Sequence, residues 1–221
     1  MNSKYYMIVI LLMVLGCKDI ASQTNKDCTR EINLDKTHIC LPKFEKMTEC
    51  YLNLTINSIV NSNVPDESLP IAYYLNDKTY KNIETIEQEV YDDYLFSTDV
   101  LSKQKLSRSE FEELSGFDKV LKNDWSKVKQ IIKEKIKVLT FDKPIVIETY
   151  SNNKNVISSV IMSRILGEET ELINIGITNS LFIKDKIIIT VYNKHYLDIE
   201  TIKDAKAKND YFALRIIQEN E

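Results

Sequence analysis

Glycine is scarce in this sequence, and its scarcity removes several familiar kinds of site. Only 4 glycines occur in the 221 residues, namely Gly16, Gly116, Gly167 and Gly176. Their spacing fits neither a phosphate-binding loop nor a dinucleotide fingerprint. No Gly-x-Ser-x-Gly turn is present to expose a nucleophilic serine. We therefore predict no cofactor and no binding of nucleotides through a phosphate-binding loop or a dinucleotide fingerprint.

Histidine is equally rare, because His38 and His195 are the only 2 in the chain. A serine or cysteine triad would have to use one of them. His38 lies two residues before Cys40, but a zinc site also needs a Cys-x-x-Cys pair or a second histidine nearby. We predict no catalytic and no metal-binding residue, and we place His195 on a surface loop after the last strand.

The charge balance does not favour nucleic acid, since the net charge is −4. The densest carboxylates are Asp92, Asp93, Glu110, Glu112 and Glu113. Paired carboxylates can cleave glycosidic bonds or hold calcium. These three glutamates, however, begin a predicted helix, where the helix dipole favours acidic side chains. We interpret all five residues as structural charge.

Lysine is concentrated around a predicted helix in the middle of the chain. One interpretation is contact with anionic lipid or with an acidic partner. The alternative, which we prefer at this point, is a solvated helix face whose lysine stems cover apolar surface. The lysines concerned are Lys119, Lys122, Lys127, Lys129, Lys133, Lys135 and Lys137.

The N-terminus carries an export signal. Lys4 precedes an apolar run from Tyr5 to Leu15, and Gly16 and Cys17 follow it. A short charged start, a short apolar run and a small residue are the parts of a secretory signal. The run is shorter than the roughly 18–20 residues that a membrane-spanning helix needs.

The segment Val14-Leu15-Gly16-Cys17 resembles the lipobox of bacterial lipoproteins, although Val14 stands where leucine is usual. The resemblance implies cleavage after Gly16, diacylglycerol on the Cys17 sulfur and an acyl chain such as palmitate on the new amino end. Lys18-Asp19 is similar to the signal that directs lipoproteins of the Bacteroidetes to the cell surface. We expect a lipid-anchored protein of the bacterial outer membrane, with surface exposure as a hypothesis.

These features predict three segments. Residues 1–16 are a cleaved signal peptide, residues 17–27 a lipidated flexible tether, and residues 28–221 a single α+β domain.

Three cysteines remain after Cys17 is assigned to lipid, and an exported protein meets oxidising conditions. One disulfide therefore leaves one cysteine over. We predict that Cys40 and Cys50 pair across a hairpin, with a bond between Cys28 and Cys50 as the rival.

The hydrophobic periodicity predicts strands first, helices in the middle and strands again before a closing helix. The early strands are 31–34, 37–40, 50–56 and 69–75; 80–101 fits either a helix or a strand. Ser107 and Glu110 form a capping box that opens a helix over 109–115, and Asn123 or Asp124 begins another that reaches about residue 138. A meander of consecutive strands follows at 145–150, 156–162, 172–177, 181–183 and 187–192. Asp198 caps the last helix.

This order predicts an α+β fold in which helices pack on an antiparallel sheet. The order of elements resembles PsbP/DcrB-like domains, and that resemblance assigns no functional residue. We expect a lipid-anchored, non-enzymatic binding module with a protein partner in the envelope. The alternatives are an envelope hydrolase that uses carboxylates or His195, and an immunity or inhibitor lipoprotein.

Overall fold

The computed structural model describes residues 27–63, 68–83, 93–99, 105–114, 125–140, 143–166 and 171–221. Within these ranges the strands are β1 (Cys28–Leu34), β2 (Thr37–Pro42), β3 (Met47–Glu49), β4 (Leu69–Asn76), β5 (Tyr94–Asp99), β6 (Ile145–Asn153), β7 (Val156–Leu166), β8 (Glu171–Ile183) and β9 (Lys186–His195). The helices are α1 (Leu54–Asn63), α2 (Asp77–Lys81), α3 (Arg108–Leu114), α4 (Trp125–Lys135), which continues as a 3-10 turn over Ile136–Val138, and α5 (Ile199–Gln218).

The centre of the fold is a seven-stranded sheet in the order β3-β4-β5-β9-β8-β7-β6. Every neighbouring pair is antiparallel, which confirms the predicted α+β class and the meander formed by β6 to β9. The two segments predicted at 172–177 and 181–183 are one strand, β8, because the polar residues between them keep their cross-strand pairing: Thr178 lies opposite Val191.

The first two strands form a separate hairpin, β1-β2. Its two turn residues, Asp35 and Lys36, have positive φ angles of 46° and 68°. The β8-β9 turn repeats this geometry, with φ angles of 49° at Lys184 and 63° at Asp185. Two-residue turns with both φ angles positive match the twist of antiparallel strands, so both hairpins are tight.

The chain between β3 and β4 corrects one prediction. The segment 50–56 alternates like a strand, but the structure has a turn followed by α1. The Asn53 side chain accepts hydrogen bonds from the backbone amides of Thr55 (3.0 Å) and Ile56 (3.3 Å), which caps the helix. Ile56 and Val60, four residues apart, then bury one helix face in a single cluster with Tyr73.

The helices lie on both faces of the sheet, but unequally. One face, here called the helical face, carries α4, α5 and the β1-β2 hairpin around the main core. The other face carries α1 over β4 and α3 over the β7-β8-β9 end, with Phe111 of α3 fully buried. The alternation of side chains along each strand separates the two faces.

The closing helix α5 follows its predicted pattern. Asp198 accepts a hydrogen bond from the Thr201 amide at 3.0 Å, and the Thr201 hydroxyl accepts one in return from the Asp198 amide at 3.2 Å. This reciprocal capping box confirms Asp198 as the N-cap. Ile202, Phe212 and Ile216 are buried on the face that packs against the sheet.

The disulfide prediction is wrong in its pairing. The bond joins Cys28 to Cys40, whose Cα atoms are 5.4 Å apart, within the usual range for disulfides. Cys40 lies on β2, which pairs with β1, whereas the chain passes through β3 into the other sheet before it reaches Cys50. Cys50 is buried beneath α1 as a free thiol, and its Sγ donates to the Tyr73 carbonyl at 3.3 Å.

The two other predicted helices, α3 and α4, are present in the described residues. Ser107 and Glu110 form the expected capping box, with the Ser107 amide donating to Glu110 Oε2 at 2.7 Å and the Glu110 amide donating to Ser107 Oγ at 3.3 Å. Positions 123 and 124, proposed as the cap of α4, lie outside the described residues, and so do 84–92 of the ambiguous stretch; its segment 94–99 is strand β5. Within the described residues, no helix has the length and apolar character needed to cross a membrane.

Candidate functional site

A layer of buried polar side chains lies between α5 and the sheet. Asn179 of β8 and Asn209 of α5 are both fully buried. Each side-chain amide donates to the carbonyl oxygen of the other, at 2.7 and 2.9 Å. Ser158 Oγ donates to Asn179 at 2.7 Å, and Asn179 donates to Thr190 Oγ1 at 2.8 Å. The amides are therefore satisfied within the protein, as buried polar groups must be.

Tyr150 extends this layer toward the surface. Its hydroxyl donates to Asp210 Oδ1 at 2.8 Å. Burial, and after it the negative charge of Asp210, raises the pKa of Tyr150 above the usual range. Burial also raises the pKa of Asp210, although the hydrogen bond from Tyr150 opposes that shift. The pair thus fixes β6 to α5 with a neutral phenol as donor.

A buried ion pair lies one helical turn before Asp210. Lys206 Nζ donates to Glu148 Oε2 at 2.6 Å and lies 4.2 Å from the centre of the Tyr150 ring. The Glu148 side chain is only 3% exposed and that of Lys206 12%. Glu148 Oε1 has no hydrogen-bond partner among the described residues. Lys206 is therefore the principal compensation for a carboxylate that is out of reach of water.

Asp93, one of the carboxylates singled out in the sequence, has a similar structural role between β9 and α5. The Tyr192 hydroxyl donates to Asp93 Oδ1 at 2.5 Å, and Lys208 of α5 donates to the same oxygen. Burial alone would raise the pKa of Asp93, but these hydrogen bonds together with the positive charges of Lys208 and Lys194 outweigh it and hold the pKa below its ordinary value. Asp93 thus links the start of β5 to β9 and α5, and Asp92 lies outside the described residues.

The opposite side of β7, β8 and β9 is the more accessible part of the sheet. Along β8 the exposure alternates: Ile175, Ile177 and Asn179 are buried, while the residues between them are partly exposed. We call this surface the open sheet face. It consists of Ser159, Ile161, Ser163, Asn174, Gly176, Thr178, Ser180 and Val191, all of them partly exposed.

The open sheet face is rich in hydrogen-bonding groups. At one end Asn174 donates to Asn193 Oδ1 at 2.9 Å. Gly176 lies beside this pair, and a Cβ atom there would contact Asn193 Oδ1 at 3.4 Å. Hydroxyls and amides spaced along extended strands suit recognition of a polar surface, and Ile161 and Val191 add apolar contact area.

A shallow recess of about 330 Å³ lies at the turn end of the sheet, where the β6-β7 and β8-β9 turns meet the end of α5. Arg108 braces its rim, since its guanidinium donates to Asn155 Oδ1 at 2.6 Å and to the Lys154 carbonyl. The ammonium of Lys184 donates to the His38 carbonyl at 2.7 Å. The recess is lined by Lys154, Asn155, Phe182, Ile183, Lys184, Asp185, Ile217, Asn220 and Glu221.

The two histidines do not share a site. His38 lies on β2 near Lys184 of the turn that precedes β9, whereas His195 is the last residue of β9. A strand of this length spans about 30 Å. His195 is therefore part of the sheet, opposite Asn174, and its predicted place on a loop is wrong.

The other residues named from the sequence are dispersed. Glu110 caps α3, Glu112 pairs with Arg108 at 2.7 Å, and Glu113 is exposed on the same helix. The proposed lipid site Cys17 lies outside the described residues, as do Lys119 and Lys122.

The buried polar layer is what sequence reasoning missed. Its signal was nevertheless present in the pattern. Asn209 occupies an apolar-face position of the last helix, four residues after the buried Ala205, and Asn179 occupies a core-facing position of β8. A polar residue in a core position predicts a buried partner.

The fold is that of an α+β protein whose antiparallel sheet is covered by helices mainly on one face, which leaves the open sheet face accessible.

No family model matches the chain, and no curated protein does. Among solved structures, a mutant of the protein Mog1 aligns with a TM-score of 0.36 and 9% identity, over 86% of this chain and 93% of the other. The Ran-binding protein Mog1p of Saccharomyces cerevisiae aligns with a TM-score of 0.34 and 10% identity, over 86% and 91% of the two chains. Likeness at this level says nothing about what this chain binds.

Proposed function

We propose that this protein is a lipid-anchored, non-enzymatic binding module of the bacterial envelope that presents the open sheet face to a protein partner. The observation that carries the proposal is the unequal covering of the sheet. The helical face is packed with α4, α5 and the β1-β2 hairpin, while the hydroxyl- and amide-rich side of β7, β8 and β9 stays accessible.

The attachment point supports this orientation. Asp27, the first described residue, donates its amide to Glu219 at 3.2 Å, and its carbonyl accepts from Lys43 at 3.0 Å. The chain from the proposed lipid site Cys17 therefore enters the domain beside the end of α5, on the helical face. The open sheet face points away from that entry and hence away from the membrane.

The lipid anchor is tested by Cys17→Ser. We expect this variant to lose incorporation of labelled palmitate and to leave the membrane fraction, because an anchored lipoprotein is held by its acyl chains. Unchanged membrane association would refute the anchor. Outer-membrane location and surface exposure, motivated by Lys18-Asp19, are tested by fractionation and by biotin labelling of intact cells.

The binding face is tested by Thr178→Arg, with Thr29→Arg as a matched control on an exposed position of β1. Both variants place the same bulky cation on a strand surface. We expect Thr178→Arg to lose the envelope protein that crosslinks to the wild-type open sheet face, and Thr29→Arg to keep it. If both variants retain the crosslink, or if the wild type yields none from this face, the proposed partner site is wrong.

A further inference from the structure

The side of α4 that faces solvent is rich in lysine. Val128 and Ile132 bury the opposite side of the helix. The only acidic residue of α4 is Glu134, and its carboxylate accepts a hydrogen bond from Gln130 at 2.8 Å. Lys129, Lys133 and, in the adjoining turn, Lys137 are exposed and follow one another at intervals of four residues, so they share the side of the helix away from Val128 and Ile132. We call these three residues the lysine face.

The lysine face differs from the lysines of the neighbouring helix α5. There each ammonium has a carboxylate partner: Lys203 binds Glu200 at 2.7 Å, Lys206 binds Glu148 at 2.6 Å, and Lys208 binds Asp93. Among the described residues, no carboxylate lies within ion-pair distance of the lysine-face residues Lys129, Lys133 and Lys137. A chain of net charge −4 thus concentrates unneutralised cations on one helix.

The position of α4 relative to the proposed tether determines whether the lysine face can reach the membrane. Lys203, near the start of α5, lies 5.2 Å from the centre of the Trp125 ring of α4. Asp27, where the tether enters, contacts Arg215 near the end of α5 at 3.4 Å. A helix of this length spans about 30 Å, and the stretch from Cys17 to Asp27 reaches at most about 35 Å. The tether and the lysine face can therefore both meet one membrane plane when α5 lies along it.

We propose that the lysine face docks on the anionic lipid headgroups of the membrane that carries the Cys17 anchor. This inference rests on the lipid anchor proposed above. It orients the helical face toward the bilayer and turns the open sheet face outward. Each lysine held at an anionic surface strengthens binding about fivefold, and the effect weakens as salt shortens the screening length.

The test measures amine reactivity of the full lipidated chain bound to vesicles. Vesicles of phosphatidylcholine mixed with phosphatidylglycerol are compared with vesicles of phosphatidylcholine alone. We expect labelling of Lys129, Lys133 and Lys137 to fall several-fold on the anionic vesicles but not on the neutral ones, and to recover at high salt. The exposed Lys78 and Lys81 of α2 are the internal controls and should label equally on both.

A pair of charge reversals sharpens the result. Lys129→Glu/Lys133→Glu should remain attached to the vesicles but lose the protection of Lys137. Lys78→Glu/Lys81→Glu should keep that protection. Circular dichroism of both variants establishes that they fold.

The failures of the two proposals are distinguishable. Release of the protein from both kinds of vesicle refutes the anchor. A protein that stays attached through Cys17, with lysines equally reactive on both lipids, overturns the docking. Protection on native membranes that is absent on protein-free anionic vesicles assigns the lysine face to an acidic protein and also overturns the lipid as its occupant.

Discussion

The buried ion pair of Glu148 and Lys206 makes the sharpest prediction about stability. Lys206→Met keeps an unbranched side chain of similar length over the Tyr150 ring but removes the ammonium. The Glu148 carboxylate, 3% exposed, then loses its 2.6 Å partner. Removing one member of a buried pair costs about 3–5 kcal/mol because the other charge is left uncompensated. We expect Lys206→Met to lower the free energy of unfolding by that amount.

The same helix offers a matched control. Lys203 pairs with Glu200 at 2.7 Å, but those two side chains are 46% and 59% exposed. Exposed pairs contribute at most about 1 kcal/mol, so Lys203→Met should cost far less than Lys206→Met. The double variant Glu148→Gln/Lys206→Met removes both charges and should recover most of the loss, since an uncharged buried pair has no ionic desolvation to compensate.

The assay is urea unfolding followed by circular dichroism at neutral pH, with the slope of the transition checked for each variant. Equal losses for Lys203→Met and Lys206→Met would refute the reasoning. A double variant as unstable as Lys206→Met alone would also refute it, because the damage would then come from lost packing rather than from the carboxylate.

Three further outcomes follow from the structure. Peptide mapping without reduction should find Cys28 joined to Cys40, and Cys50 should react with a thiol reagent only after unfolding, since burial raises its pKa to about 12. Asp93→Asn should lower the free energy of unfolding by about 1–2 kcal/mol at neutral pH. Because the folded pKa of Asp93 is lowered, its stabilising effect is present above the unfolded value of about 3.9, and the difference from wild type should shrink as acid unfolding is followed below that pH. Asn209→Ala should cost about 1–3 kcal/mol by urea unfolding, since it removes a buried reciprocal pair; a loss below about 1 kcal/mol would contradict the account.

Local sequence signals were sufficient where a single pattern dominates. The period-two segments of β6 to β9 and the capping residues Ser107 and Asp198 identify their elements, because pleat and cap act over a few residues. The strand prediction for 50–56 was wrong because a short alternating segment has the same pattern as a strand. The Asn53 cap and the contacts of Ile56 and Val60 with the sheet stabilise a helix there instead. Local preference is routinely overridden by such tertiary contacts.

Long-range pairing was beyond the same reasoning. The bond between Cys28 and Cys40 depends on β2 pairing with β1 rather than continuing into the main sheet, which no spacing of three cysteines determines. The insertion of β5 beside β9 likewise joins residues that are far apart in sequence, as Tyr94 opposite Asn193 shows. The proposed binding face and lysine face follow from this topology, since both depend on which side of the sheet is covered.

The buried polar layer fixes the orientation of α5 on the sheet. An apolar helix can slide or rotate on an apolar sheet at little cost, but Asn209 can bond reciprocally with Asn179 in only one placement of α5. Buried polar pairs of this kind specify register in other helical assemblies. Here the register of α5 also sets where α4 meets it, through Lys203 and Trp125, and where the proposed tether would enter, through Arg215 and Asp27. The orientation that we propose on the membrane therefore depends on two amides that touch neither the lipid nor the partner.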